Sequence, residues 1–140
     1  MAAQARDPYR NFNFRVAIGG RTRAADGYSE VQLPTFITRS GVVTSGPAND
    51  AEPSYLVLRR GYTGALDLYD WWDQERRAPK KNRGRIVTVE LLDESGVDAV
   101  TTWRFTGCRP VALQYSPLNA LEAAVVVETI TLTVDDVEMT

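Results

Sequence analysis

The chain has 140 residues, 44% of them hydrophobic and 24% charged, with a formal net charge of -2, the size and balance of one folded domain with its own core. It holds no histidine and a single cysteine, Cys108, which excludes Ser-His and Cys-His nucleophile pairs, an intramolecular disulfide and a cysteine-only zinc site. No apolar run approaches the ~20 residues that span a bilayer, and the opening Met1-Ala2-Ala3-Gln4-Ala5-Arg6 lacks the apolar stretch of a signal peptide, so cytoplasmic assembly without a membrane anchor is expected.

Asn11 to Ile18 places Phe12, Phe14, Val16 and Ile18 on one face at period two, the pattern of a half-buried strand closed by Gly19-Gly20. A shorter strand is expected from Tyr28 to Leu33. From Pro34 to Pro53 the chain is rich in Ser, Thr, Gly, Pro and Asn, and a loop or loosely paired hairpin of about twenty residues is long enough to imply a task of its own. Ser54 to Arg60 is again strand-like, ended by Gly61.

The period then changes. Ala65 to Ala78 predicts the one helix, with Leu66, Tyr69 and Trp72 as its apolar stripe and Leu68 beside them. Asp67, Asp70 and Asp73 precede Arg76 and Arg77, the charge order that a helix dipole favours, and Asp73 can pair with Arg77 one turn on. Pro79 ends it. The three aspartates read as a solvated helix face rather than metal ligands. The basic run Arg76, Arg77, Lys80, Lys81, Arg83 and Arg85 has no interleaved aromatic ring, so a surface loop or protein interface fits it better than a nucleic-acid site.

Arg85 to Leu92 and Val100 to Thr106 predict an antiparallel hairpin across the turn Asp93-Glu94-Ser95-Gly96. Val111 to Tyr115 follows as a short separate strand after Pro110, and Cys108 reads as a buried structural thiol. In the last strand, Ala124 to Asp135, Val126, Glu128, Ile130, Leu132 and Val134 share one face. Val125, Val127, Thr129, Thr131 and Thr133 share the other, and β-branched residues on both faces suggest cover on both sides. The fold class expected is mainly β: an antiparallel β-barrel or two packed sheets, with one flanking α-helix and a long loop, in one domain over residues 1–140. No motif implies a cofactor, a metal or catalysis.

Charge is uneven along the chain. Residues 1–60 carry eight basic and five acidic groups, whereas residues 93–140 carry two basic and eight acidic. Opposite ends of +3 and -6 suit a subunit that docks head to tail on its own copies.

Four segments together resemble the tail-tube proteins of contractile phages and extracellular contractile injection systems. Asp7-Pro8-Tyr9 running into Phe12-Asn13-Phe14-Arg15-Val16 resembles the family's opening, and Tyr28-Ser29-Glu30-Val31 its second strand. Leu56-Val57-Leu58-Arg59-Arg60-Gly61 with Leu68-Tyr69-Asp70-Trp71 resembles its strand-to-helix passage. Trp103-Arg104-Phe105, Cys108-Arg109-Pro110, Leu118-Asn119-Ala120 and Val127-Glu128-Thr129-Ile130 follow in the family's order. The resemblance implies a structural, non-enzymatic subunit of hexameric rings that stack inside a sheath, with sheath and baseplate proteins as partners and cargo or DNA in the lumen. It points to the Pro34–Pro53 segment as an intersubunit arm, through Pro34, Thr38, Arg39, Ser40, Gly41, Val42, Val43, Pro47, Asn49 and Asp50. Within that reading, the second face of the last strand, Val125, Val127, Thr129, Thr131 and Thr133, is the surface expected toward the lumen. The rival readings are a secreted hexameric ring protein of the type VI secretion class and a small ligand-binding β-barrel.

Overall fold

The computed structural model describes residues 9, 13–19, 27–39, 42–44 and 54–140. Its elements are β1 (Phe14–Ile18), β2 (Tyr28–Gln32), β3 (Ile37–Arg39), β4 (Val42–Thr44), β5 (Leu56–Gly61), α1 (Asp67–Arg77), β6 (Arg85–Leu92), β7 (Ala99–Tyr115), β8 (Val127–Thr133) and β9 (Asp136–Met139). The main sheet runs β1-β6-β7-β8-β5-β2, with β9 on β7, and every pairing is antiparallel.

The expected mainly antiparallel β fold with one helix holds; among the described residues the seven strands of the main sheet form one continuous sheet that does not close into a barrel. Strand β7 is 17 residues long and belongs to both halves. Its first part pairs with β6 and β9, its second with β8, so the chain turns a corner within one strand. The corner falls at Gly107, whose φ is +66°, and the Asp135 N–H donates to the Thr106 carbonyl there at 2.9 Å. Gly84, at φ +77°, packs its backbone directly against Gly107 and Cys108. Strands β1 and β2 end the path and do not pair with each other, which leaves a seam on that side.

Pro110 is why the sequence suggests two short strands where there is one. It has no N–H to give to a ladder, but it stands at a register shift between Pro110 and Ala112, a place where a sheet tolerates proline. The predicted last strand, Ala124 to Asp135, is shorter in the structure as β8, and a further strand not expected from the sequence, β9, follows after Val134-Asp135 along the same edge of β7.

The core lies between the two halves. Val16, Val87, Val89 and Phe105 from one meet Leu56, Leu58, Ile130 and Leu132 from the other, with Leu68 and Trp71 from α1. The alternation read from the sequence in the last strand is the alternation of burial along β8, and β5 alternates in the same way, whereas in β1 Val16 alone is buried. Cys108 is fully buried as expected, and burial pushes its thiol up to about 12, which removes it as a nucleophile at neutral pH. The segment after β2 forms a small separate hairpin, with Ile37 opposite Thr44 and Arg39 opposite Val42.

The helix is rotated from its predicted orientation. Leu68 and Trp71 are buried, whereas Leu66 is 56% exposed and Tyr69 lies on the outside. The cause is ionic. Asp67 and Glu75 stand on the same face as Leu68 and Trp71, two turns apart. Asp67 is held by Arg60 of β5, and Glu75 by Arg109 of β7 at 3.3 Å. Trp72 therefore sits outside beside Tyr69, with ring centroids 6.0 Å apart and the Arg76 guanidinium 5.1 Å from its ring. Asp73 pairs with Arg77 at 2.9 Å, as its spacing predicts.

Candidate assembly surfaces and the buried ionic knot

Residues opposite one another in an antiparallel ladder lie on the same face, so the register defines the outward face of the second half-sheet. Thr129 is opposite Arg59 and Gln114, and Thr131 is opposite Val57 and Ala112. Glu30 and Gln32 extend the row onto β2. Val127, Thr129, Thr131 and Thr133 are all partly accessible on this face. Val125 is not part of it as a strand residue: it lies in the connection before β8 and is 74% exposed. On this face the Glu30 carboxylate and the Arg59 guanidinium pair with each other at 2.6 Å. Beside that pair it presents threonine hydroxyls and the Gln32 and Gln114 amides, interspersed with Val57, Ala112 and Val127.

Of the residues expected in the arm, Thr38 and Arg39 belong to β3 and Val42 and Val43 to β4. Pro34 is buried just after β2. Ser40, Gly41, Pro47, Asn49 and Asp50 lie outside the described residues. The two expected surfaces are therefore separate: one is the broad outer face of β2, β5, β8 and β7, the other the hairpin after β2.

Beneath the threonine face is a charge cluster that sequence reading missed. Arg60 and Glu128 face each other in the β5–β8 ladder and both point inward, at 3% and 0% exposure. The Arg60 Nε donates to Glu128 Oε1 at 2.8 Å, and its two terminal nitrogens meet both Asp67 oxygens, at 2.5 and 3.2 Å. The Tyr115 hydroxyl donates to Glu128 Oε2 at 2.6 Å. The Tyr28 ring lies 5.7 Å from the guanidinium. One arginine thus ties β5, β8 and α1 together, with β7 and β2 closing around it. Burial works against the Asp67 carboxylate, but the Arg60 hydrogen bonds and charge outweigh it and hold its pKa below the ordinary value. Burial, then the bond to Glu128, raises the Tyr115 phenol. The cluster is closed and fully occupied by protein groups, so its chemistry is cohesion.

Among the described residues no group of three or more His, Cys, Asp or Glu could hold a metal ion, and no helix is long and apolar enough to cross a membrane.

The same fold occurs in chains of contractile injection systems. A chain of the sheath-tube complex of the extracellular contractile injection system PVC superposes with a TM-score of 0.69 at 19% identity, over 97% of this chain and 93% of that one. A chain from the PVC sheath/tube terminator gives 0.73 at 19% identity, over 98% and 99%. Hcp1 from Flavobacterium johnsoniae gives 0.58 at 13% identity, over 91% and 94%. No curated protein sequence matches. The family model of the T4-like virus tail tube protein gp19 matches residues 10–138, and the chain belongs to that family.

Proposed function

We propose that this chain is the inner-tube subunit of a contractile injection particle or phage tail, forming hexameric rings that stack into a hollow tube. The family membership and the likeness to PVC tube chains support the tube role. The observation that carries the geometry is the outer face of β2, β5, β8 and β7, where threonine hydroxyls and the Gln32 and Gln114 amides alternate with small apolar side chains and Glu30 pairs with Arg59. Turned inward in a ring, it lines the bore with Val127, Thr129, Thr131 and Thr133. Such a wall hydrates well and exerts no strong field, so cargo or DNA passes without being held.

The role is mechanical. Heterologous contacts between copies close into a ring or run on as a filament, and the buried Arg60 cluster keeps each subunit stiff. Sheath and baseplate proteins are the partners, assembly takes place in the cytoplasm, and the finished particle carries the tube to its target. The hairpin β3–β4 and the residues around it, from Pro34 to Asp50, reach the neighbouring ring. The likeness to Hcp1 keeps a secreted ring of the type VI class as the second reading.

A Thr131→Cys variant tests the bore assignment. In the assembled tube it reacts with a small maleimide but is protected from a polymer-sized one, and the protection vanishes on disassembly. Equal reaction of both reagents with the intact tube would place this face on the outside.

A further inference from the structure

The two edge strands that do not pair flank a groove of about 290 Å³. Phe14, Leu91 and Trp103 line it from one half and Val31 and Leu33 from the other, with Tyr9, Ser29 and Glu30 as its polar lining. This is the seam at which the sheet fails to close, and its lining is more apolar than polar because it continues the core between the two halves: Phe14, Val31 and Trp103 all pack against that core.

The same chain carries an apolar knob elsewhere. The connection from Ser116 to Val126 leaves the far end of β7 with Leu118 84% and Leu121 94% exposed. Neither leucine is buried by its own subunit, yet the connection is held in shape. The Ser116 N–H donates to the Val127 carbonyl at 2.9 Å, and the Val127 N–H to Ser116 Oγ at 2.9 Å, which closes its base. The Asn119 side chain accepts from the Leu121 N–H at 2.9 Å, and its carbonyl accepts from the Glu122 N–H at 3.2 Å. A preformed loop loses little entropy on docking.

We propose that Leu118 and Leu121 of one copy seat in the seam groove of the next, a head-to-tail contact that joins subunits of the tube. The contact rests on the tube reading above and adds which surfaces meet. Knob and groove lie on different elements: the groove on β1, β2, β6 and the first half of β7, the knob beyond its second half. Pairing them between copies therefore gives a heterologous interface, the kind that closes into a ring or propagates. The match is chemical as well. An aliphatic pair enters an aliphatic and aromatic slot at the small end of the ~300–1,000 Å³ range of binding pockets, and the contact covers both apolar surfaces at once.

The test is cysteine cross-linking in the whole chain, with Leu121→Cys and Leu33→Cys made singly and together. Cys108 is buried and gives no background. In the assembled protein the double variant forms a ladder of linked dimers and higher multiples under mild oxidation, and neither single variant does. A second variant, Leu118→Asp with Leu121→Asp, folds normally by circular dichroism because both sites are exposed. It needs roughly tenfold or more higher concentration to assemble, the loss expected when interface anchors are removed. An unlinked double variant in intact rings, or unchanged assembly of the aspartate variant, overturns the contact and leaves the tube reading standing. Dimers from Leu121→Cys alone would show a two-fold contact instead and overturn it too. If the wild-type chain never assembles, the tube reading itself fails and the contact goes with it.

Discussion

Replacing Arg60 with Met unfolds the protein at markedly lower urea, with a loss of about 3–5 kcal/mol, the cost of breaking a buried ion pair by removing one partner. Glu128 is 0% exposed, so its carboxylate cannot recover water when the guanidinium leaves. The remaining donor to it, the Tyr115 hydroxyl at 2.6 Å, offers a hydrogen bond but no positive charge. The double variant Arg60→Met with Glu128→Leu regains most of the loss, because two apolar groups facing each other across a ladder need no partner. Asp67 then turns to solvent, where its side chain is already 34% exposed. The pH dependence has a definite sign. Asp67 has a lowered pKa in the fold, so its contribution is fully present above the unfolded carboxyl value of about 3.9 and is lost as pH falls through the lower folded value. The Arg60→Met variant lacks this acid-sensitive contribution. A single-variant loss below about 1 kcal/mol, the range of an exposed pair, would contradict the buried knot.

Substituting Gly84 with Ala is the second large effect. Its φ of +77° lies in the left-handed region, which costs a side chain roughly 1–2 kcal/mol. The added Cβ would stand 2.8 Å from the Gly107 carbonyl carbon and 2.9 Å from the Cys108 oxygen. Those atoms are main chain at the corner of β7, so relief requires moving the corner, and overpacking of that kind adds roughly 1–3 kcal/mol. Gly96, also at positive φ, has nothing within 4 Å of its added Cβ, so Gly96→Ala bears the backbone strain alone and serves as the control. Equal losses for the two variants, measured by urea unfolding followed by tryptophan fluorescence, would show that the Gly84–Gly107 contact contributes nothing.

These two sites mark where sequence reading stops. Strands with plain alternation are legible because one face is buried: Phe14, Val16 and Ile18, or Ile130, Leu132 and Val134. The helix is legible as a helix but not in its rotation, because Asp67, read with Asp70 and Asp73 as a solvated face, in fact finds Arg60 on the sheet, as Glu75 finds Arg109. The signal for the knot is present in the pattern. Arg60 interrupts the buried series Leu56, Leu58 of β5, and Glu128 interrupts the buried series of β8. A single charge on each of two core faces, opposite in sign, calls for a partner. That the two meet depends on the β5–β8 register, which pairs residues 68 positions apart, and alternation within one strand does not encode it. The same limit applies to the surfaces. The threonine face can be read from β8 alone, but its neighbours Arg59, Gln114 and Glu30 come from the ladder. Leu118 and Leu121 look like ordinary apolar residues until their exposure is known.

The central claim is that this chain builds a tube, and electron microscopy of the purified protein in negative stain, across a range of concentrations with sizing alongside, tests it most directly. The account predicts six-fold rings with an open bore that stack into tubes as concentration rises. A monomer at every concentration would contradict it.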